Sequence, residues 1–226
     1  HGYQDWIRRR AVNLLQAGPS RFLIHMPTGS GKTRTTMEIL IDHLRSSLEP
    51  DVTVVWLAHS EELCDQAAGT FEDLWQKQGS RHVSVLRLWG GTRYTDPFPK
   101  GLNFVVTSFA TAYNMLSSEN SAQFELFLAI KRQTKLVVVD EAHQSTAPTY
   151  QAAIELFAGR NASTIGLTAT PGRHTISGDE AGTQELSDFY AGGKLDMPGD
   201  NGERLEDPIA FLTERGMLSD VERYQL

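Results

Sequence analysis

Residues 22–33 read FLIHMPTGSGKT: an apolar run, a glycine-rich turn, then Lys32-Thr33 opening a helical segment. Phosphate chemistry accounts for each part. The apolar strand Phe22–His25 delivers the turn to the edge of a sheet. Gly29 and Gly31 let the backbone curl so that several N–H groups converge on one anion. The helix beginning near Lys32 adds its N-terminal dipole and unpaired N–H groups. Lys32 is placed to reach the β- and γ-phosphates of a nucleotide, and the Thr33 hydroxyl to ligate Mg²⁺. Pro27, Thr28 and Ser30 complete the cradle. The general pattern G-x-x-x-x-G-K-[ST] has Met26 rather than Gly at its first position here. The plainer alternative is a glycine-rich turn between a strand and a helix.

The chain around this turn alternates strands with helices. Before it, Tyr3–Gln16 has roughly helical apolar spacing and ends at Gly18-Pro19. After it come a helix Thr33–Leu48, a buried strand Asp51–Ala58 and a helix Glu61–Gln76. A strand Val83–Leu88 breaks at Gly90-Gly91. A short strand Phe104–Thr107 precedes helices at Thr111–Leu116 and Phe124–Ile130. The β-branched strand Lys135–Val139 ends at Asp140. Helix Tyr150–Phe157 and strand Ser163–Leu167 follow. This order predicts an α/β fold with a mostly parallel central sheet, helices on both faces and right-handed crossovers. Ligand sites then gather at the carboxyl ends of the strands. From Gly172 to about Asp207 the glycine-rich acidic sequence predicts a long mobile loop with a short helix near Leu186–Tyr190. A helix Pro208–Arg215 and an extended exit segment Leu218–Leu226 close the chain.

The net charge of −7 argues against a uniformly basic nucleic-acid binder. It leaves room for a local groove, because backbone and hydroxyl groups also hold phosphates. Cys64 is the only cysteine, which excludes an intrachain disulfide and a Cys metal cluster and fits a reducing cytosol. No apolar run approaches the roughly 20 residues that span a bilayer, so a membrane partner is not expected. The chain opens at His1-Gly2 without Met, which reads as a processed or cut chain.

A second motif is Val137-Val138-Val139-Asp140-Glu141-Ala142-His143. An apolar strand ending in Asp sets a carboxylate at the sheet edge. Asp140 is suited to hold Mg²⁺ through water, opposite Thr33, and Glu141 to orient or deprotonate an attacking water. The alternative is an acidic turn after a strand. The two motifs together, each in its strand context, outweigh either alternative.

MPTGSGKT, DEAH and Leu167–Pro171 (LTATP) together resemble motifs I, II and III of superfamily 2 helicases of the DEAD/DEAH-box kind. Tyr3-Gln4 is similar to their glutamine motif, Val54–Gln66 to motif Ia, and Val105–Leu116 to motif Ib. Asp207–Asp220 resembles the segment leading out of the first RecA-like domain in the type III restriction and DNA-repair branch. The resemblance implies a RecA-like P-loop NTPase domain that binds ATP and Mg²⁺ and moves on or remodels nucleic acid, DNA in preference to RNA. It assigns the adenine edge to Gln4, and coupling between nucleotide and strand to His143, Thr168 and Thr170. It places His59, Ser60, Gly91, Arg93, Thr107 and Ser108 along the nucleic-acid backbone. It also implies a second RecA-like domain supplying an arginine finger, worth about 10³–10⁵ in rate, so this domain alone is expected to hydrolyse ATP poorly. The rival reading is an ATP-gated switch that engages protein partners in a larger complex without unwinding.

Overall fold

The computed structural model describes residues 2–92, 94–117, 121–145, 147–169, 180–191 and 193–218. Its centre is a seven-stranded sheet. The strands are β1 (Arg21–His25), β2 (Val52–Ala58), β3 (Val83–Leu88), β4 (Leu102–Ser108), β5 (Thr134–Val139), β6 (Ser163–Thr168) and β7 (Lys194–Asp196). Their order is β3-β4-β2-β5-β6-β1-β7, and every pairing is parallel.

The helices are α1 (Gly2–Gln16), α2 (Lys32–Ser46), α3 (Glu61–Gln78), α4 (Phe109–Ser117), α5 (Ser121–Gln133), α6 (Pro148–Ala158), α7 (Glu180–Phe189) and α8 (Pro208–Glu214). Both sheet faces are covered, so β2, β4 and β6 are buried at every position. That explains why VTVVWLA reads as one apolar run without alternation. The alternation survives in the packing. Val54 and Trp56 face one core with Ile7, Leu40 and Phe71 of α1, α2 and α3. Val55 and Leu57 face the other with Phe109, Phe127 and Ile154 of α4, α5 and α6. Connections on the first face step toward β3, and those on the second step toward β7, as a single crossover hand requires.

The sequence expectation for residues 172–207 needs correction. Within it α7 spans Glu180–Phe189, and β7 pairs with β1 in the register Leu23↔Lys194 to His25↔Asp196. The expected helix near Leu186–Tyr190 exists but begins earlier. Tyr190 is fully buried, and its ring lies where a side chain at Gly166 would stand. β7 has three residues, too few for any alternation, and its partner is the open edge of β1. Short edge strands of this kind leave almost no local trace. Asp207 caps α8, its Oδ1 accepting from Ile209 N at 3.0 Å and Ala210 N at 2.9 Å. Of the expected exit segment only Leu218 lies among the described residues.

Candidate functional site

The turn after β1 is tied at both ends. Met26 N–H donates to Thr168 O at 3.1 Å, so β6 holds the entry. Ser30 N–H and Ser30 Oγ both donate to Pro27 O, at 3.2 and 2.6 Å, closing the turn across Thr28. Gly29 and Gly31 have φ of 80° and 83°, in the left-handed region that glycine enters without strain. Space demands glycine as well. A Cβ at Gly29 would stand 2.6 Å from the Leu218 side chain, and one at Gly31 would meet the Gln4 amide.

Helix α1 clamps the loop from outside. Tyr3 Oη donates to Ser30 O at 3.0 Å and Gln4 Nε2 donates to the same carbonyl at 2.9 Å. Two donors on one carbonyl hold that oxygen away from the anion cradle, where it would repel phosphate. Tyr3 and Leu218 are loop contacts that sequence reading missed. Tyr3 adjoins the recognised Gln4, whereas Leu218 carries no local signal. A cavity of about 160 Å³ lies beside α1, lined by Tyr3, Trp6, Phe211, Arg215 and Met217 among others.

Lys32 opens α2, nearly buried, and its Nζ lies 3.4 Å from Glu141 Oε1. The other Glu141 oxygen lies 3.2 Å from His143 Nδ1. Glu141 therefore stands between two basic groups. Its backbone has φ 50° and ψ 51°, a left-handed conformation that costs a non-glycine residue of order 1–3 kcal/mol. A 3₁₀ turn over Ala142–Gln144 follows directly. Asp140 is 5% exposed, and its Oδ1 accepts from Glu141 N–H at 3.0 Å. Burial pushes the Asp140 carboxyl above its usual range, against the opposing pull of Lys32. An underneutralised buried carboxylate favours an added cation. Among the described residues no cluster of three His, Cys, Asp or Glu could cage a metal alone. A single buried carboxylate such as Asp140 is compatible with Mg²⁺, which takes one or two protein oxygens and fills its shell with water and phosphate oxygens.

The residues assigned to the nucleic-acid backbone stand on the other half of the sheet edge. Ser60 caps α3, its Oγ accepting from Leu63 N–H at 3.3 Å. Ser108 Oγ accepts from Thr111 N–H at 3.1 Å and caps α4 in the same way. Gly91 lies in an exposed turn after β3, with φ 75°. Thr107 is a correction: it is fully buried, and its hydroxyl donates to Ser108 O at 3.3 Å. Burial on both sheet faces removes it from direct strand contact. His59 packs against aromatic rings, as described below. Thr168 is buried beside β1. Arg93 and Thr170 lie outside the described residues.

His25, given no role from sequence, has its Nδ1 2.7 Å from Asp196 Oδ1, and Lys194 Nζ lies 2.7 Å from the same oxygen. Burial alone would raise the Asp196 carboxyl, but His25 and Lys194 bring it down to about 2. This triad pins β7 to the strand that feeds the loop. Burial pushes the Cys64 thiol up to about 12, which removes it as a nucleophile.

A parallel sheet with a glycine-rich loop after one strand, and an Asp-Glu pair ending the strand two places away, is the architecture of a RecA-like domain. The family model described as "Type III restriction enzyme, res subunit" matches residues 1–173, and the chain belongs to that family. The endonuclease subunit of the type I restriction enzyme EcoKI from Escherichia coli K12 is 26% identical over 193 residues, covering 77% of this chain and 15% of that relative. The chain thus spans a small part of that relative's length. The helicase domain of Pyrococcus furiosus Hef superposes with TM-score 0.58 at 20% identity, over 88% of this chain and 38% of that one. The type ISP restriction-modification enzyme LlaGI, solved with a DNA substrate mimic, gives 0.60 at 17% identity, over 96% of this chain and 20% of that one. Dbp5 of S. cerevisiae, bound to Nup159 and Gle1, gives 0.58 at 15% identity, covering 86% of this chain and 48% of that one. Among the described residues no helix is long and apolar enough to cross a membrane.

Proposed function

We propose that this domain binds ATP with Mg²⁺ and hydrolyses it as part of a motor that moves on or remodels DNA. The observation that carries the reading is the meeting of Lys32 and Glu141, 109 residues apart in the chain, at 3.4 Å beside the buried Asp140. In this reading the N–H groups of Gly29 and of residues 31–33, with the Lys32 side chain, hold the phosphates. Glu141 orients the attacking water and accepts its proton as the oxygen attacks the γ-phosphorus in line. Asp140 and Thr33 would hold Mg²⁺, which would supply neutralisation of the phosphate charge. Lys32 must leave Glu141 for the phosphates, so the ion pair describes the domain before nucleotide arrives. Gln4 would read the adenine from helix α1, beside the loop. A second RecA-like domain completes the site.

DNA is favoured over RNA because the EcoKI subunit and LlaGI are both restriction enzymes. Ser60, Gly91 and Ser108 would meet the strand through backbone and hydroxyl groups, without reading sequence.

Glu141→Gln in the full-length protein tests this. Nucleotide affinity should stay within a few fold, while steady-state phosphate release should fall by about 10²–10⁴, the usual worth of a general base. Undiminished release would overturn the assignment.

A further inference from the structure

β2 lies between β5 and β4 in the sheet, so the residue that follows it stands between the two halves of the edge. That residue is His59. On one side its ring meets Phe109, the first residue of α4, at 4.7 Å between centroids. It meets Tyr150 of α6 edge-on at 5.1 Å, and Phe109 and Tyr150 lie 4.4 Å apart. On the other side β2 pairs with β5, Leu57 opposite Val139 and Leu57 O accepting from Asp140 N–H at 2.9 Å, so the residue after Ala58 adjoins the edge that bears Glu141 and His143. Burial holds the imidazole below its usual range, and His143 lowers it further against the opposing pull of Glu141. Its Nε2 is buried and has no hydrogen-bond partner among the described residues.

A buried polar atom without a partner is costly, and a native one calls for an explanation. Core packing does not supply it, because phenylalanine would fill the same aromatic box without leaving a nitrogen unpaired. A role along the polymer backbone does not supply it either, because the nitrogen is closed to solvent. We infer that His59 is a positioning residue that links the polymer edge at Ser108–Phe109 to the orientation of Glu141. A strand resting on Ser108 shifts the start of α4, and Phe109 carries that shift to the His59 ring. The ring acts on the His143–Glu141 pair, whose backbone is already held in a strained conformation. Rearrangement that gives Nε2 a partner is favoured, which makes two discrete arrangements available. The inference rests on the ATP and DNA reading above.

The test measures linkage rather than turnover. In the full-length protein the Kd of a fluorescent oligothymidylate is measured with and without a non-hydrolysable ATP analogue and Mg²⁺. Coupling between two sites is reciprocal and commonly about 5- to 150-fold. His59→Phe keeps the aromatic packing and removes the nitrogen. Each ligand alone should then bind within about 2-fold of wild type, with the coupling factor falling toward one. Tyr150→Leu, at a half-exposed position, should weaken coupling in the same direction and serves if His59→Phe folds poorly. Retained coupling in both variants would leave His59 as packing alone and overturn the inference. So would a large loss of oligothymidylate affinity without nucleotide, which would make His59 a contact. Failure of wild type to bind the ATP analogue or the oligothymidylate would sink the underlying reading, before any variant is made. Wild type that binds both without coupling overturns the positioning role alone.

Discussion

The carboxyl edge of the sheet divides into two contiguous halves that treat polar groups in opposite ways. At β5, β6 and β1 charges are gathered and left strained. Asp140 is buried with its charged form disfavoured, Glu141 has a left-handed backbone, and Lys32 is held by the Glu141 carboxylate. At β3, β4 and β2 the polar groups are satisfied at home. Ser60 and Ser108 cap helices, and Thr107 is closed inside the sheet. One half gathers charge around a single point, and the other presents helix ends and neutral hydroxyls, on a chain of net charge −7. In the function proposed above, the first half would take the nucleotide and the second would take the strand without needing positive charge.

The largest expected effect comes from removing the charge that the first half is built around. Lys32→Ala should weaken ATP binding about 10- to 100-fold, the worth of a hydrogen bond to a charged group. Isothermal titration in the full-length protein reads it. An unchanged Kd would mean that the loop is a structural turn.

Asp140→Asn should act in opposite directions on stability and function. The wild-type carboxyl holds its proton to higher pH when folded than when unfolded. Stability is therefore lost as pH rises from near 3.8 through the raised value, and the penalty persists at neutral pH. The variant lacks that slope. Without ligand at pH 7 it should gain about 1 kcal/mol, or roughly 2–4 °C in Tm for a chain of this size. The gain should vanish below pH 4, and stabilisation by Mg·ATP should fall. A lower Tm at pH 7 would show that attraction to Lys32 outweighs burial.

Asp196 gives the reverse sign. Its carboxyl is lowered from 3.8 to about 2, so its contribution is present at neutral pH and is lost as pH falls from about 4 to 2. After allowance for solvent screening, Asp196→Asn should cost about 1 kcal/mol at pH 7 and nothing near pH 2. Denaturant titrations at the two pH values check it.

The smallest effect sharpens the second half. Thr107→Val should change oligothymidylate affinity by less than about 2-fold, since its weak internal hydrogen bond never reaches the strand. A tenfold loss would return Thr107 to the interface.

Local spacing determined a great deal. The glycine-rich turn, the Asp-Glu pair and the six longer strands are legible because each depends on residues within a few positions of one another. Gly29 and Gly31 take the left-handed backbone that their residue type permits. The apolar run before Asp140 can end only at a sheet edge. Tertiary structure alone decided what closes on these parts. Tyr3 grips the same carbonyl as Gln4, Leu218 rests on Gly29, and Asp196 binds His25 across 171 residues of chain. His59 stands against Phe109 and Tyr150, beside the end of β5, because β2 lies between β4 and β5, and no spacing in the chain encodes that order. Sequence periodicity reports the side a residue faces; which distant residue meets it there follows only from the order in which strands pair.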